Sequence, residues 1–156
     1  MAPLAAITAA LAWRGVPPGF SMELGALKLG APTATATDRE RARFTRCAGP
    51  VRVTCVVDGD TFWYRGEKIR IADINAPEVS KPGCAREAKL GAQATARLQA
   101  LLNAGPFTLA RDPSSDDRDR YGRLLRDVTR DGESLGDTLR AEGLAERWKG
   151  RRGDWC

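Results

Sequence analysis

The chain has 156 residues, with 25 lysines and arginines against 20 aspartates and glutamates, a net charge of +5 and an isoelectric point near 9.3. It contains no histidine, which excludes Ser-His-Asp hydrolases, histidine-ligated metal nucleases and zinc enzymes built on imidazole; catalysis is left to carboxylates, Arg, Lys, Tyr, Cys or a metal held by oxygens. This length fits one domain, and the basic balance favours an acidic partner such as nucleic acid, the bland alternative being a merely soluble basic surface.

Residues 1–46 read as a low-complexity, signal or linker segment that is poorly ordered. Pro3–Trp13 is apolar and alanine-rich but too short for a membrane span. Ala10-Leu11-Ala12 is a candidate signal-peptidase site, and Met22 an alternative start. Ala31–Thr37 is Ala/Thr low complexity and Asp38–Arg46 a mixed charge run, both read as linker. The domain is expected over residues 47–156, as a monomer without a stable membrane span.

Val51–Val57 alternates and predicts the first strand; Asp58-Gly59 turns it into a second, Thr61–Tyr64. Arg65-Gly66-Glu67 reads as a hairpin turn because glycine accepts positive φ. The third strand, Lys68–Ile74, puts Ile69 and Ile71 on one face and Arg70 on the other. Asn75-Ala76-Pro77-Glu78 leaves the sheet, since proline cannot continue the ladder. A helix is predicted over Arg86–Asn103, with Leu90, Ala94, Leu98 and Leu101 on one core stripe and Gly105-Pro106 as its stop. A fourth strand follows at Phe107–Arg111, a polar loop at Asp112–Gly122 and a fifth strand at Arg123–Arg130. A second helix spans Ser134–Glu142, capped by Ser134 and stopped by Gly143. Arg147–Cys156 is basic with two tryptophans.

The four cysteines are Cys47, Cys55, Cys84 and Cys156, without a C-x-x-C, so no zinc site is expected. Four allow three pairings, with buried free thiols as the alternative. The expected pairing is Cys47–Cys55, close in sequence, and Cys84–Cys156, which ties the basic tail to the start of the first helix. Two disulfides imply an oxidising compartment, hence a secreted or periplasmic location.

The hairpin and its exit gather Asp60, Arg70, Asn75 and Glu78. Oxygen ligands suit a hard cation, a guanidinium suits a phosphate, and a carboxylate near both can act as a base. Asp58, which precedes Gly59, is the better turn former.

Three motifs in this order, DGDT at Asp58–Thr61, R-x-x-x-x-N-x-P-E at Arg70–Glu78 and DRYGR at Asp119–Arg123, with a weaker SLGDTLRAEGLA at Ser134–Ala145, resemble the staphylococcal nuclease-like (thermonuclease) family. The resemblance covers about Val51 to Trp148. It implies an α+β, mainly β fold: a five-stranded OB-fold barrel with two helices, lacking most of a third, C-terminal helix. It implies a calcium-dependent phosphodiesterase acting on DNA or RNA and leaving 3′-phosphates. It makes Asp60 a calcium ligand and Glu78 the base that activates water. Arg70 and Arg123 become the phosphate clamp, and Tyr121 a substrate contact. Asn75 departs from the family's aspartate; its amide carbonyl still offers an oxygen, and Ala76 offers its backbone carbonyl. Two rivals stay open: a non-catalytic nucleic-acid-binding module stacking bases on Trp63, Tyr64 and Tyr121, and a protein-interaction domain, of which Asn75 is the only sign.

Overall fold

The hairpin around Gly66 forms the middle of the sheet in the computed structural model, which describes residues 37–156. Strands β3 (Thr61–Tyr64) and β4 (Glu67–Ile71) pair antiparallel through a two-residue turn, Tyr64 opposite Glu67. Arg65 and Gly66 have φ of 51° and 85°, the left-handed geometry that matches a tight turn to strand twist. As expected, Ile69 and Ile71 point into the core.

The predicted third strand ends early, at Ile71, and Asn75, expected to leave the sheet, instead pairs with Glu146 in a second, two-stranded ribbon; the remaining elements appear with small shifts in their ends: helix α1 at Ala85–Asn103, β6 at Thr108–Ala110, β7 at Leu124–Arg130 and helix α2 at Leu135–Ala141. Ser134 Oγ accepts from Asp137 N as the N-cap of α2, and Gly143 leaves it at φ 72°. Of the predicted stripe, Ala94, Leu98 and Leu101 are buried, while Leu90 is half-buried. Gly91 allows α1 to pass close to the loop after the hairpin: a Cβ there would stand 2.8–2.9 Å from the carbonyl oxygens of Glu78 and Pro77.

The first predicted strand is shorter than expected. Only Cys55–Val56 (β2) pairs with β3, whereas Val51 and Val53 are exposed. Alternation without a buried face does not hold a strand in register. Here Gly66 N donates to Val53 O, and the Cys47–Cys55 disulfide closes the loop.

Residues 38–46 are not linker. Asp38 accepts from Thr108 Oγ1 and Asp131 N, each at 2.7 Å. Phe44 is fully buried among Phe62, Tyr64 and Phe107, with ring centroids 5.8–5.9 Å away. Asn103 grips both backbone groups of Phe44, and Thr45–Arg46 (β1) pairs parallel with β2. Glu40, Ala42 and Phe44 face inward while Arg39, Arg41 and Arg43 face out, a strand periodicity that the charges mask. The candidate signal segment and most of the Ala/Thr run lie outside the described residues.

The sheet runs β1-β2-β3-β4-β7-β6, with β4 and β7 parallel and short β8 (Glu133–Ser134) on β7; β5 (Ile74–Asn75) and β9 (Glu146–Arg147) form a separate ribbon. Among the described residues the strand pairings do not close into a ring, so the five-stranded barrel is not seen as such. Over the described residues the fold is mixed α+β, with two helices on a multi-stranded sheet. Among the described residues no helix is long and apolar enough to cross a membrane. Both expected disulfides, Cys47–Cys55 and Cys84–Cys156, are formed.

Candidate active site

Two strand pairings assemble the centre of the site. Thr61 lies opposite Arg70 across β3–β4, and Arg70 opposite Leu125 across β4–β7, so Arg123, just before β7, reaches back to the DGDT turn. Arg123 Nη1 is 3.4 Å from Thr61 Oγ1, which donates to Asp60 Oδ1 at 2.8 Å. Asp60 Oδ2 accepts from Ala76 N at 3.0 Å and lies 3.6 Å from Arg70 Nη2. Asp60, Arg70 and Arg123, separated in sequence, thus share one network, with Thr61 as a link that motif reading passed over.

Each arginine is anchored. Arg70 is buried, and its Nη1 donates to Ile71 O and Ile74 O at 2.7 and 2.9 Å. Its guanidinium lies 4.9 Å from the ring centre of Trp148, a cation–π contact. Arg123 is held by Asp119, whose Oδ2 accepts from Nε at 2.7 Å while Oδ1 accepts from the backbone N–H groups of Tyr121 and Arg123. Burial raises the Asp119 pKa, but these hydrogen bonds outweigh it and hold the carboxyl below its ordinary range. Tyr121 is exposed, between the guanidinium groups of Arg120 and Arg123 at 4.8 and 5.5 Å.

Among the described residues no hydrogen bond or ion pair joins Glu78 to this network, although its charge acts on Asp58. Its Oε1 accepts from Val79 N, Ser80 N and Ser80 Oγ at 2.8–3.1 Å. Burial raises its pKa, but the bonds from Ser80 and Val79 and the charge of Arg152 prevail, so it stays ionised. Its backbone N–H donates to Glu87 Oε1 at 3.1 Å. Glu87, on the first turn of α1, is a site neighbour that carried no sequence signal.

Asn75 is buried, and its Nδ2 donates to Glu146 Oε1 at 3.3 Å across the β5–β9 ribbon, which leaves Oδ1 as the atom available to a cation. Among the described residues no group of three or more acids, histidines or cysteines is gathered as a ready metal site. The groups that contact the Asp60 carboxylate are the Thr61 hydroxyl, the Ala76 N–H and the Arg70 guanidinium, while the oxygens of Asp60, Asp58 and Asn75 are of the kind that a hard cation takes. Asp58 is pushed up to about 7 by burial first, then by the charges of Asp60 and Glu78. A place where acids repel one another is one where a cation relieves them.

Residues 68–154 match the family described as staphylococcal nuclease homologue. A 93-residue stretch is 41% identical to Endonuclease YncB of Bacillus subtilis (strain 168), covering 57% of this chain and 43% of that protein. Over 93 residues the chain is 42% identical to SPbeta prophage-derived endonuclease YokF of the same organism, covering 57% and 31%. The chain therefore spans less than half the length of these curated relatives.

Proposed function

The chain belongs to the staphylococcal nuclease family, and on that premise we propose that it is a calcium-dependent phosphodiesterase that hydrolyses DNA or RNA. The observation that supports this most is the meeting of Arg70 and Arg123 on Asp60 and Thr61. Two planar, permanently charged donor forks beside one carboxylate suit a phosphodiester and the added negative charge of its transition state. Glu78, ionised and with Oε2 outside its turn hydrogen bonds, takes the proton of the attacking water. Tyr121, exposed beside Arg123, contacts the substrate. Calcium, when bound, supplies a Lewis acid at a phosphate oxygen, and Asp60, Asn75 Oδ1 and the Ala76 carbonyl would hold it.

The same reading takes the sheet as the family's barrel: the Glu40–Phe107 bridge leads from the β6 edge back towards β1. It also takes the protein as a monomer of an oxidising compartment, supported by the disulfides.

The test follows digestion of labelled single-stranded DNA and RNA oligonucleotides with calcium and then with excess chelator. Cleavage with calcium and its loss on chelation are expected. Equal cleavage in both conditions refutes the calcium dependence. Binding without cleavage supports the non-catalytic module instead.

A further inference from the structure

The segment Trp148–Cys156 lies across the candidate site although it belongs to none of the motifs. Cys156 is disulfide-bonded to Cys84, the N-cap of α1, 72 positions earlier in sequence. Trp148 N donates to Asp73 O at 2.8 Å and its ring stacks on Arg70. Gly153 packs directly against the carboxylate of Glu146, the partner of Asn75, and a side chain there would require that carboxylate to swing aside. Arg152 Nη2 lies 3.1 Å from Glu87 Oε1 and 4.0 Å from Glu78 Oε2. One short segment therefore touches Arg70 and Glu78 directly and Asn75 through Glu146.

Arg152 occupies the critical place. Glu87 is buried and holds the loop that carries Glu78: Oε1 accepts from Glu78 N at 3.1 Å and Oε2 from Gly83 N at 2.6 Å. It is thus a second carboxylate beside the base, and Arg152 is the cation that pairs with it. Without that cation, the charge of Glu87 would be held by its two backbone N–H groups alone and would repel the carboxylate of Glu78. Glu78 commits Oε1 to its own turn, and Arg152 faces the other oxygen, Oε2.

We propose that Arg152, delivered by the segment that the Cys84–Cys156 disulfide closes, is a positioning residue for hydrolysis: it neutralises Glu87 and orients Oε2 of Glu78, which makes the disulfide part of the site's assembly. This rests on the nuclease reading above.

The experiment uses the full chain with calcium and a labelled single-stranded DNA oligonucleotide, reading kcat, KM and melting temperature. The variants are Arg152→Gln, Arg152→Lys, Glu87→Gln alone and with Arg152→Gln, and Cys84→Ser with Cys156→Ser, alone and with Arg152→Gln. Arg152→Gln should lower kcat about 10–100-fold, the range for supporting residues around a site, with KM and melting temperature little changed, and Arg152→Lys should restore most of it. Adding Arg152→Gln to Glu87→Gln should cost far less, because no carboxylate remains to be neutralised. The disulfide-free variant, assayed well below its melting temperature, should lose kcat comparably, and Arg152→Gln should add little to that loss. An inactive wild type sinks the nuclease reading itself. An active wild type with normal kcat in Arg152→Gln overturns this proposal alone, as does an equal loss from Arg152→Gln with and without Glu87. If Arg152→Gln does not fold, the Glu87→Gln background decides: a folded double variant with kcat near that of Glu87→Gln upholds the proposal, and one with a large further loss overturns it.

Discussion

Arg70, Glu78 and Arg123 do different amounts of structural work, and substitution should separate them. Arg123→Ala and Glu78→Ala should each lower kcat about 10²–10³-fold, the usual cost of one transition-state donor and of comparable size for a base, while circular dichroism stays native. Arg70→Ala should lose activity and stability together, since its buried guanidinium also caps the carbonyls of Ile71 and Ile74. Near-normal turnover in a folded variant would remove that residue from the site. At position 75 the neighbour decides the outcome. Glu146 already lies against the amide, so Asn75→Asp places two carboxylates together. The melting temperature should fall in chelator, and calcium should restore it while less calcium is needed for half-maximal rate, because affinity follows the charge of the ligands. Thermal melts and a calcium titration of the rate measure both, and no change in either means residue 75 does not face the ion.

Among the elements, the DRYGR loop is organised by one carboxylate. Asp119 holds Arg123 and two backbone N–H groups, and its pKa is depressed below its reference of 3.8. A depressed acid contributes stability above its unfolded pKa and loses it as pH falls through the folded one. Asp119→Asn should therefore lower the melting temperature at pH 5–7, and the gap from wild type should narrow below about pH 3.8. A gap constant with pH would show that the carboxylate charge does not stabilise this loop. Arg123→Lys should also fall short of wild type in turnover, because an ammonium cannot reproduce a planar fork.

For the whole molecule, the packed chain begins before the domain boundary that composition suggests. Phe44 fills the space between three aromatic rings, so Phe44→Ala should cost about 3–5 kcal/mol in denaturant unfolding. A cost below about 1 kcal/mol would mean that residues 38–46 are peripheral after all. The region was missed because hydrophobic periodicity is read from apolar side chains, and here the inward positions are Glu40, Ala42 and Phe44. Glu40 is half-buried, its carboxylate accepting from Tyr64 Oη at 2.8 Å. Conversely, Val51 and Val53 promised a buried strand and face solvent, since among the described residues nothing covers that side.

The hairpin, both helices, the motif residues and the disulfide pairs were all legible in the chain. Positive φ at Gly66, the cap at Ser134 and the α1 stripe act over a few neighbouring residues, so local pattern carries them. Which motif residues meet is another matter. Arg123 reaches Thr61 only because β4 and β7 run parallel in the register Arg70 opposite Leu125, and parallel pairing joins segments whose separation no local rule specifies. Glu87 and Arg152 come together across 65 positions through packing and the second disulfide. Folding brings these charges together, and their separation in sequence leaves no spacing from which the contact can be read.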